Sequence, residues 1–535
     1  MHSQTMIDEF IHAIGRAHVI EDKAYIHEAE LTNYKTSESI AFVLMPGNTE
    51  ELRQCILIAK KYKQPVYTVS RGKNWGYGSR VPVTGNNILI ELKRLNRIVD
   101  FDERHAYITV EPGVTFNQAF DFLRERNSEL IISSTGGSRD SSMLGNALER
   151  GIGTGLYAER FSNVCGLEVL LPNGDIIATG FERYGNFKTG KLFRWGLGPT
   201  LDGLFSQSNM GIVTKMTLWL MKTPPHLSLI FYKVNDVTKL KSVIDELQLM
   251  AMEGLVRPTI TLYNDIRIIT SLIQYPFEQF DPEKTDADEL MKQIRQSIPM
   301  FGQMVGDWNG EISIRAENEE HAAVQYRIVQ ERLKNYVEEF TIIHTTKKDI
   351  LESFQEHYNA KEKNLAQPTL QSFLIKKYSG IPDNAAIRQT YWRKRSPMPA
   401  DLNPDRDKCG LIWICPVVPF SGKDVLAAAA IIKEVIKKYS FEPAISLQCT
   451  TERCINVIAS FCWDREVAGE DEMAEKCYFE VSRLLNEKGY FSYRGNTLAM
   501  NKATGEDNPY DSFVEDLKRA IDPDGILSPK RYVSM

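Results

Sequence analysis

Hydrophobic positions in the N-terminal part of the chain follow two alternating patterns. Residues 49–62 and 116–125 have apolar positions at helical spacing, so we predict two helices there, the first capped by Thr49. Short runs rich in β-branched and aliphatic residues predict strands, at 65–70, 87–92, 106–110, 164–171 and 176–179. Asn173-Gly174 separates the last two runs and predicts a hairpin. The pattern indicates an α+β fold and not the regular βαβ series of a nicotinamide-binding domain.

The pattern changes at Thr223, which two prolines follow. Downstream, helical stretches are interleaved with strand-like runs, at 237–253, 312–315, 319–338, 411–416 and 455–461. A last helix begins at Pro509, and the turn-forming stretch 522–529 follows it. Because 535 residues exceed what one hydrophobic core supports, we predict two domains and a C-terminal segment, at residues 1–222, 223–487 and 488–535.

Composition and charge exclude several classes of function. The net charge is −6 and the pI about 6.0, which argues against a nucleic-acid partner. Asp8 and Glu9 interrupt any N-terminal apolar run, and no stretch reaches the roughly 18 apolar residues of a membrane span, so we expect a cytoplasmic protein without membrane contact. The eight cysteines form no C-x-x-C pair and the nine histidines show no metal spacing, so we predict reduced thiols and no metal.

The strand-like run 65–70 ends in a glycine-rich loop, residues 70–79, that reads SRGKNWGYGS. Its glycines allow backbone conformations that point successive N–H groups into one concavity, which suits a pyrophosphate. Arg71 and Lys73 add positive charge. A surface turn with incidental basic residues has the same pattern, so this loop alone leaves both interpretations open.

Further glycine-rich segments follow along the chain. Residues 134–138 read STGGS, and residues 144–155 read LGNALERGIGTG around a short helical stretch. In a third segment, residues 205–214, Gly211 precedes a strand. The Gly-x-Gly-x-Gly run at 151–155 lacks both the G-x-G-x-x-G spacing and the preceding strand of a dinucleotide fingerprint, which disfavours a Rossmann site.

The order of these segments resembles that of a known family. The vanillyl-alcohol oxidase and 4-cresol methylhydroxylase family of FAD-linked oxidases has motifs similar, in order, to SRGKNWGYGS, VEPGVTF, SSTGGS, LGNALERGIG, GLEVLLPNGD, FSQSNMGIVTK and DPDGILSP. The resemblance is dense over about the first 220 residues and the last fifty or so, and thin between them. It implies an FAD-binding domain split between the two ends of the chain, with an α+β cap domain between them that contains a large antiparallel sheet.

The resemblance implies FAD as the cofactor, its pyrophosphate held by the first loop. The residues that it implies for FAD binding are Arg71, Gly72, Lys73, Asn74, Gly76, Gly137, Ser138, Leu144, Gly145, Asn146, Arg150, Gly151, Gly153, Gly211, Ile212 and Val213. Members with histidyl-linked FAD carry the histidine on a strand similar to residues 452–458, where this chain has Cys454 and Ile455. We therefore expect non-covalent FAD, with a cysteinyl or tyrosyl link elsewhere as the alternative.

The resemblance also implies a site for a phenol. Tyr77 matches a tyrosine that hydrogen-bonds the phenolic oxygen, and Tyr493 and Arg494 match the pair that stabilises the phenolate. These groups would lower the pKa of the bound phenol, and a phenolate gives up a benzylic hydride more readily. Glu159 stands where the family commonly has an aspartate that acts as a base, and its extra methylene changes the reach by roughly 1.5 Å. The alternative for Glu159 is an ion pair with Arg160 or another surface cation.

The sequence therefore predicts an FAD-dependent oxidoreductase. A hydride would move from the α-carbon of a para-substituted phenol, or a related alcohol, to flavin N5. Dioxygen or an electron-carrier protein would reoxidise the flavin, and the resemblance implies dimers or larger assemblies. Two alternatives stay open: the same flavin chemistry on a non-phenolic alcohol, amine or hydroxy acid, and a flavin- or ligand-binding protein without turnover.

Overall fold

The computed structural model describes residues 4–257, 260–359, 376–500 and 508–535. The chain forms two compact units. Unit 1 consists of Met1–Ile152, Glu159–Met221 and Gly495–Met535, and unit 2 of Gly153–Ala158 and Lys222–Arg494. The sequence pattern puts the domain boundaries at 222 and 487, and it gives no sign that the short stretch Gly153–Ala158 belongs with unit 2.

In the described residues, the strands of unit 1 form a four-stranded and a five-stranded sheet, Leu130–Ile131 pairs with Met221–Lys222 in a two-stranded one, and five α-helices lie in the N-terminal part. The helices are α1 (Gln4–Ile14), α2 (Lys23–Ala29), α3 (Thr49–Lys61), α4 (Phe116–Glu125) and α5 (Met143–Leu148). The strands are β1 (Val19–Ile20), β2 (Ile40–Leu44), β3 (Val66–Val69), β4 (Asn87–Glu91), β5 (Ile98–Asp102), β6 (Tyr107–Val110), β7 (Leu130–Ile131), β8 (Val164–Leu170), β9 (Ile176–Ala178), β10 (Ile212–Trp219) and β11 (Met221–Lys222).

The first sheet of unit 1 has the strand order β1-β2-β4-β3, and β4 runs parallel to both of its neighbours. Apolar side chains of α1 and α3, among them Phe10, Leu52 and Ile56, pack against this sheet. The predicted cap of α3 is wrong. Asn48 caps the helix, because its extended backbone lets the side-chain oxygen accept the N–H of Glu51 at 2.9 Å.

The second sheet of unit 1 is antiparallel, with the order β5-β6-β10-β8-β9. The predicted hairpin is confirmed, since β8 pairs with β9 and Gly174 turns between them with φ of 89°. Leu171 and Asp175 close this turn with an N–H···O bond of 2.8 Å.

Unit 2 is built on an eight-stranded antiparallel sheet, as the large sheet of the predicted cap domain requires. Its strands are β12 (His226–Val234), β13 (Ile260–Asn264), β14 (Trp308–Ala316), β15 (Phe340–Thr346), β16 (Cys409–Ile414), β17 (Val417–Pro419), β18 (Ala444–Cys449) and β19 (Cys454–Asp464). They follow the order β15-β12-β14-β13-β18-β19-β16, and β17 continues along β19 in the register of β16.

Within the residues that the structure describes, eight α-helices flank this sheet in sequence. They are α6 (Val237–Met252), α7 (Asp265–Leu272), α8 (Ala287–Ser297), α9 (Pro299–Met304), α10 (Glu319–Leu333), α11 (Lys347–Asn359), α12 (Gly422–Lys438) and α13 (Glu470–Glu487). A last helix, α14 (Pro509–Ile521), belongs to unit 1. Within the described ranges, the chain has no helix whose length and apolar content would let it cross a bilayer.

In its middle strands, the sheet of unit 2 has one apolar face and one face with polar side chains. On the second face, Leu229 and Phe231 of β12 stand opposite Ser313 and Glu311 and are apolar. Ile312 and Ile314 of β14 are buried on the apolar face, and Glu311 and Ser313 alternate with them on the other. The same alternation runs through β13, where Tyr263 shares the face of Glu311. We call this second face the polar face of the sheet.

Candidate active site

The first glycine-rich loop follows β3 directly and is held by polar contacts. The carbonyl of Asn74 accepts the N–H groups of Tyr77 at 3.0 Å and Ser79 at 3.2 Å. The side-chain oxygen of Asn33 accepts the N–H of Gly76 at 2.8 Å. Sequence reasoning missed Asn33, because this asparagine lies in a polar stretch well before the loop and no local pattern marks it. The loop is therefore a fixed structure and not a loose surface turn.

One glycine of this loop, Gly72, determines its backbone shape, and two basic residues give it positive charge. Gly72 has φ of 67°, and a Cβ there would lie 2.4 Å from Cγ of Arg80, so only glycine fits. The ammonium of Lys73 lies 5.2 Å from the ring centre of Trp75. Arg71 and Lys73 are half-buried, so both keep accessible surface for an anion.

Tyr77 is buried in the loop, and the C-terminal segment of unit 1 fixes its backbone. The N–H of Thr497 donates to the carbonyl of Tyr77 at 3.2 Å. The hydroxyl of Thr497 in turn lies 2.8 Å from that of Tyr34. A Cβ at Gly78 would lie 2.4 Å from Cγ2 of Thr497, so the two segments approach each other as closely as glycine allows.

The second glycine-rich segment lies against the first. Ser142 caps α5 by accepting the N–H of Gly145 at 2.9 Å. A Cβ at Gly145 would lie 2.7 Å from Oγ of Ser70, the first residue of the glycine loop. Leu144 is buried beside it in α5. Unit 1 therefore brings two of the predicted cofactor segments into contact.

The preceding turn, residues 134–138, leaves open space beside its glycines. The N–H of Gly137 donates to Oγ1 of Thr135 at 3.1 Å, and the hydroxyl of Ser138 accepts the N–H of Asp140 at 3.1 Å. No atom of the described residues lies within 4 Å of the position that a Cβ on Gly136 would take. Gly136 is exposed, so this side of the turn is accessible from solvent.

Arg160 ties these turns together and was not predicted to do so. Its guanidinium donates to the carbonyls of Ser134 and Gly151, the latter at 3.1 Å, and to the side-chain oxygen of Asn146 at 2.5 Å. A Cβ on Gly151 would lie 2.1 Å from that same oxygen. In the sequence, Arg160 is an arginine in a glycine-rich region and a candidate partner for Glu159. Nothing there indicates that it contacts these turns.

The third glycine-rich segment, residues 205–214, contacts the rest of unit 1 through the side chain of Ser206 and through strand β10. Arg150 donates from Nε to the hydroxyl of Ser206 at 3.2 Å. A Cβ on Gly211 would lie 2.6 Å from Cγ1 of Val169, because β10 begins there against β8. Ile212 and Val213 are the first buried residues of β10.

The C-terminal segment closes unit 1 beside the first loop. Val66 of β3 donates its N–H to the carbonyl of Ile526 at 2.8 Å and accepts the N–H of Ser528 at 2.7 Å. Lys518 of α14 reaches the carbonyl of Asn209 at 2.7 Å. Residues close to both ends of the chain therefore take part in this one unit.

Two buried polar atoms near the first loop fit a polar ligand. Oγ1 of Thr68, in β3, and Nδ2 of Asn496, next to Thr497, have no hydrogen-bond partner among the described residues. Buried polar groups normally have a partner, so an unsatisfied pair beside fixed turns with open space suits a bound polar molecule.

Glu159 and Gly153, also predicted site residues, lie in different units. Oε2 of Glu159 accepts the N–H of Ser162 at 2.7 Å, which caps the short turn that follows. Gly153 belongs to unit 2, where its N–H donates to the carbonyl of Ala158 at 2.8 Å. The predicted residue set is therefore divided between the units at this point.

Tyr493 and Arg494 lie at the end of unit 2, at the edge of its sheet. The N–H of Tyr493 donates to the carbonyl of Cys415 at 3.1 Å, and Ser492 bridges to Pro416. Residues 491–493 thus extend the sheet antiparallel to the segment that joins β16 and β17. Both side chains are half-buried.

Unit 2 contains a polar cluster that sequence reasoning missed: Tyr263, Arg267, Glu311 and Lys377. Tyr263 donates from its hydroxyl to Glu311 at 3.0 Å, and Lys377 donates to that hydroxyl at 2.8 Å and also to the Glu311 carboxylate. Burial raises the pKa of Tyr263 and the charge of Glu311 adds to this, whereas Lys377 and Arg267 oppose it. The alternation of polar and apolar residues in 308–316 was the signal available for it.

The cysteines and histidines of the described residues form no group of three or more with acidic residues that could hold a metal ion. Cys454, at the position matching the family's histidine, is a free half-buried thiol 3.2 Å from the hydroxyl of Thr451.

Comparison with known proteins identifies relatives over nearly the whole chain. Residues 40–180 match the model of an FAD-binding domain. The chain is 36% identical to the 1'-carboxy-chondrochloren decarboxylase of Chondromyces crocatus, over 98% of this chain and 96% of the relative. It is 29% identical to the 4-cresol dehydrogenase (hydroxylating) flavoprotein subunit of Pseudomonas putida, over 90% and 85%.

Solved structures give the same result. A p-cresol methylhydroxylase with bound substrate superposes with a TM-score of 0.85 at 25% identity, over 99% of this chain and 96% of that one. The 4-ethylphenol oxidase of Gulosibacter chungangensis shares the fold, with a TM-score of 0.85 at 22% identity over 99% and 96%.

Proposed function

The chain belongs to the vanillyl-alcohol oxidase and p-cresol methylhydroxylase family of FAD-linked oxidoreductases, and from this premise we propose that it oxidises a para-substituted phenol. FAD is its cofactor. The observation that carries the proposal is the nearly full-length similarity to a protein named for 4-cresol, together with Tyr77, Tyr493 and Arg494 at the matching motif positions.

We propose that the glycine turns of unit 1 hold FAD. Their support is the contact between the first two segments, the Arg160 hydrogen bonds, the open space at Gly136 and the unsatisfied atoms of Thr68 and Asn496. Backbone N–H groups in such turns bind phosphate oxygens. Bound FAD supplies a ring that accepts a hydride. We propose a non-covalent cofactor, so acid precipitation should leave the yellow colour in the supernatant and not in the pellet.

We propose that Tyr77, Tyr493 and Arg494 bind the oxygen of the substrate as a phenolate. Two hydroxyl donors and a guanidinium stabilise the negative charge and so lower the pKa of the phenol. The electron-rich ring then releases a hydride from the α-carbon and becomes a quinone methide. Glu159 is proposed as the base that assists water addition to that carbon. Dioxygen or an electron carrier completes the cycle by reoxidising the cofactor.

The test of this function is anaerobic reduction of the holoenzyme, followed at the flavin absorbance bands. We expect 4-cresol or vanillyl alcohol to bleach the flavin and D-lactate to leave it oxidised. Tyr77→Phe should slow bleaching by about 10²-fold or more, since it removes a donor to developing charge. Tyr184→Phe is the matched control, because Tyr184 is exposed in the same unit. Bleaching by lactate alone would exclude a phenol substrate.

The relative at 36% identity favours a second candidate, oxidative decarboxylation of an acidic phenol. The first step is the same: a proton and two electrons leave the α-carbon together as a hydride. If the next carbon of the side chain bears a carboxylate, its C–C bond to the carboxylate breaks and CO2 leaves. The released electron pair forms a C=C bond, and the quinone methide returns to a phenolate. The products are CO2, a vinyl phenol and reduced flavin.

A further inference from the structure

Arg267 is an arginine inside unit 2 without an acidic partner. It lies on α7, and the one side-chain hydrogen bond of its guanidinium within the described residues goes to the hydroxyl of Ser271, at 2.9 Å. No carboxylate of those residues lies within ion-pair distance of it. Burial lowers the pKa of its guanidinium, and the nearby Tyr263 and Cys462 only partly offset this.

Two other deeply placed arginines of unit 2 have carboxylate partners. Arg393 pairs with Glu442 at 2.6 Å, and Arg465 pairs with Asp471 at 3.1 Å. Guanidinium groups stay protonated in proteins, so a desolvated arginine without a counter-ion carries an unbalanced charge. Among the described residues, Arg267 differs in this respect from Arg393 and Arg465.

The neighbours of Arg267 cannot neutralise it. In the polar cluster, Lys377 already balances Glu311, and the remaining hydroxyl belongs to Tyr263. Counted over the described residues, the cluster therefore has one positive charge in excess. The side chain of Lys377 is 23% exposed, and Tyr263 and Arg267 are also only half-buried, so the described residues leave part of the cluster uncovered.

The strands of the sheet place Tyr263 of this cluster in one row with Tyr493, which we propose binds the phenol. Across the antiparallel strands, Tyr263 stands opposite Ser446, which stands opposite Ile458. The continuous register of β16 and β17 along β19 puts Cys415 next in the row, and the bridge at Pro416 puts Tyr493 after it. Residues opposite each other in a sheet share a face, so Tyr263 and Tyr493 are on the polar face.

Four strand spacings separate the backbones of Tyr263 and Tyr493, which is about 19 Å. A hydroxyphenyl ring with a short acidic side chain is shorter than this span. It would lie along the row with its phenol at one end and its carboxylate at the other, and side chains from both ends would reach it.

We propose that Arg267 binds a carboxylate of the substrate, and that the chain acts on phenols whose para side chain ends in an acid. This inference rests on the proposed function and names the substrate class for it. One excess cation matches one carboxylate, which a guanidinium binds through two parallel hydrogen bonds. The decarboxylase relative, named for a carboxylated compound, supports a carboxylate over other anions.

The experiment is calorimetric titration of the holoenzyme with 3-(4-hydroxyphenyl)propanoate and with its uncharged methyl ester. We expect the wild type to bind the acid at least tenfold more tightly than the ester. Arg267→Gln should lower that acid-to-ester ratio by about tenfold or more, whereas Arg267→Lys, which keeps the charge, should retain most of it. Arg327→Gln is the control, because Arg327 is exposed on α10 and the net charge changes equally.

Two results would overturn the inference. One is an acid-to-ester ratio that Arg267→Gln leaves unchanged. The other is equal weakening of acid and ester together with loss of bound FAD, which would mean that the cation serves the fold or the cofactor. If Arg267→Gln does not fold, a wild type that lacks any preference for the acid overturns it equally.

Bleaching of wild-type flavin by 4-cresol separates this inference from the proposed function. Bleaching without a preference for the acid refutes the carboxylate site alone. A preference for the acid that depends on Arg267, without bleaching by any phenol, refutes the phenol oxidation and leaves the anion site standing.

Discussion

Arg160 shows how one residue can hold several turns in place. Arg160→Gln would leave buried carbonyls of Ser134 and Gly151 without their donor, at about 1–3 kcal/mol for each. We expect a lower denaturation midpoint and a lower ratio of flavin to protein after purification. Arg104→Gln, an exposed arginine of the same unit, should change neither. Full flavin content in Arg160→Gln would show that the turns keep their shape without it.

Glu159 combines a structural contact with a proposed chemical role. Its Oε2 holds the Ser162 N–H, and Oε1 has no hydrogen bond among the described residues, so one oxygen remains for proton transfer. A base of this kind contributes about 10²–10⁴ to a rate. We expect Glu159→Gln, which preserves the cap, to reduce steady-state formation of the hydroxylated product by at least 10²-fold while stability stays near wild type. A normal rate would assign the carboxylate to capping only.

At the scale of elements, Gly211 is required where β10 begins. Gly211→Ala would put a Cβ 2.6 Å from Cγ1 of Val169 and 3.1 Å from Cε1 of Phe205, so β10 and β8 must separate. Overpacking of this kind costs about 1–3 kcal/mol. Urea denaturation should show that loss, whereas Gly203→Ala, with no described atom within 4 Å, should remain near wild type. Equal midpoints for the two variants would contradict the close contact.

Predicted and observed elements agree where the sequence pattern is local. The strand at 65–70 and the glycine segments were predicted because periodicity and turn residues are local properties. Strand β14 was predicted only at 312–315, although it begins at Trp308. Gly310 interrupts the pattern there. A glycine is needed because a Cβ would lie 2.0 Å from Cζ of Tyr232, which is on the neighbouring strand but far away in sequence.

The parts of the site that escaped prediction depend on contacts between distant segments. Arg160 acts on residues up to 27 positions away, and Lys377 reaches Glu311 across 66 positions. Neither contact leaves a local pattern, since a single arginine or lysine has the same appearance on a surface. Family motifs supply the glycines and the Tyr-Arg pair but not the supports around them. Arg267 was missed for the same reason, as only folding shows that it lacks an acid.

At the scale of the whole molecule, unit 1 is assembled from three separate stretches of chain. Unit 2 interrupts unit 1 in sequence, so Gly495–Met535 is synthesised after the whole of unit 2. Strand β3 obtains hydrogen-bond partners from Ile526 and Ser528, so the final residues help to hold the strand that leads into the first glycine loop. We therefore expect FAD binding to depend on residues at the far end of the sequence.

Lys518 is the residue on which this closure depends most. It is fully buried in α14 and donates to the carbonyls of Asn209 at 2.7 Å and Leu527 at 3.1 Å, and to the Asp522 carboxylate at 2.6 Å. Burial lowers the pKa of its ammonium, and Asp522 opposes the shift. Lys518→Met would leave Asp522 as a buried charge without a cation, which costs about 3–5 kcal/mol.

We expect Lys518→Met to lower the free energy of unfolding by about 3–5 kcal/mol. We also expect it to weaken FAD binding at least tenfold, because the third glycine segment and the C-terminal segment lose their shared anchor. Urea denaturation and fluorescence titration of the apoprotein with FAD measure the two effects. Adding Asp522→Asn should restore part of the stability, since it removes the unpaired charge. Arg519→Met, one residue along the same helix but 55% exposed, should cost at most about 1 kcal/mol. FAD affinity that stays at the wild-type value in Lys518→Met would show that the cofactor site forms without this closure.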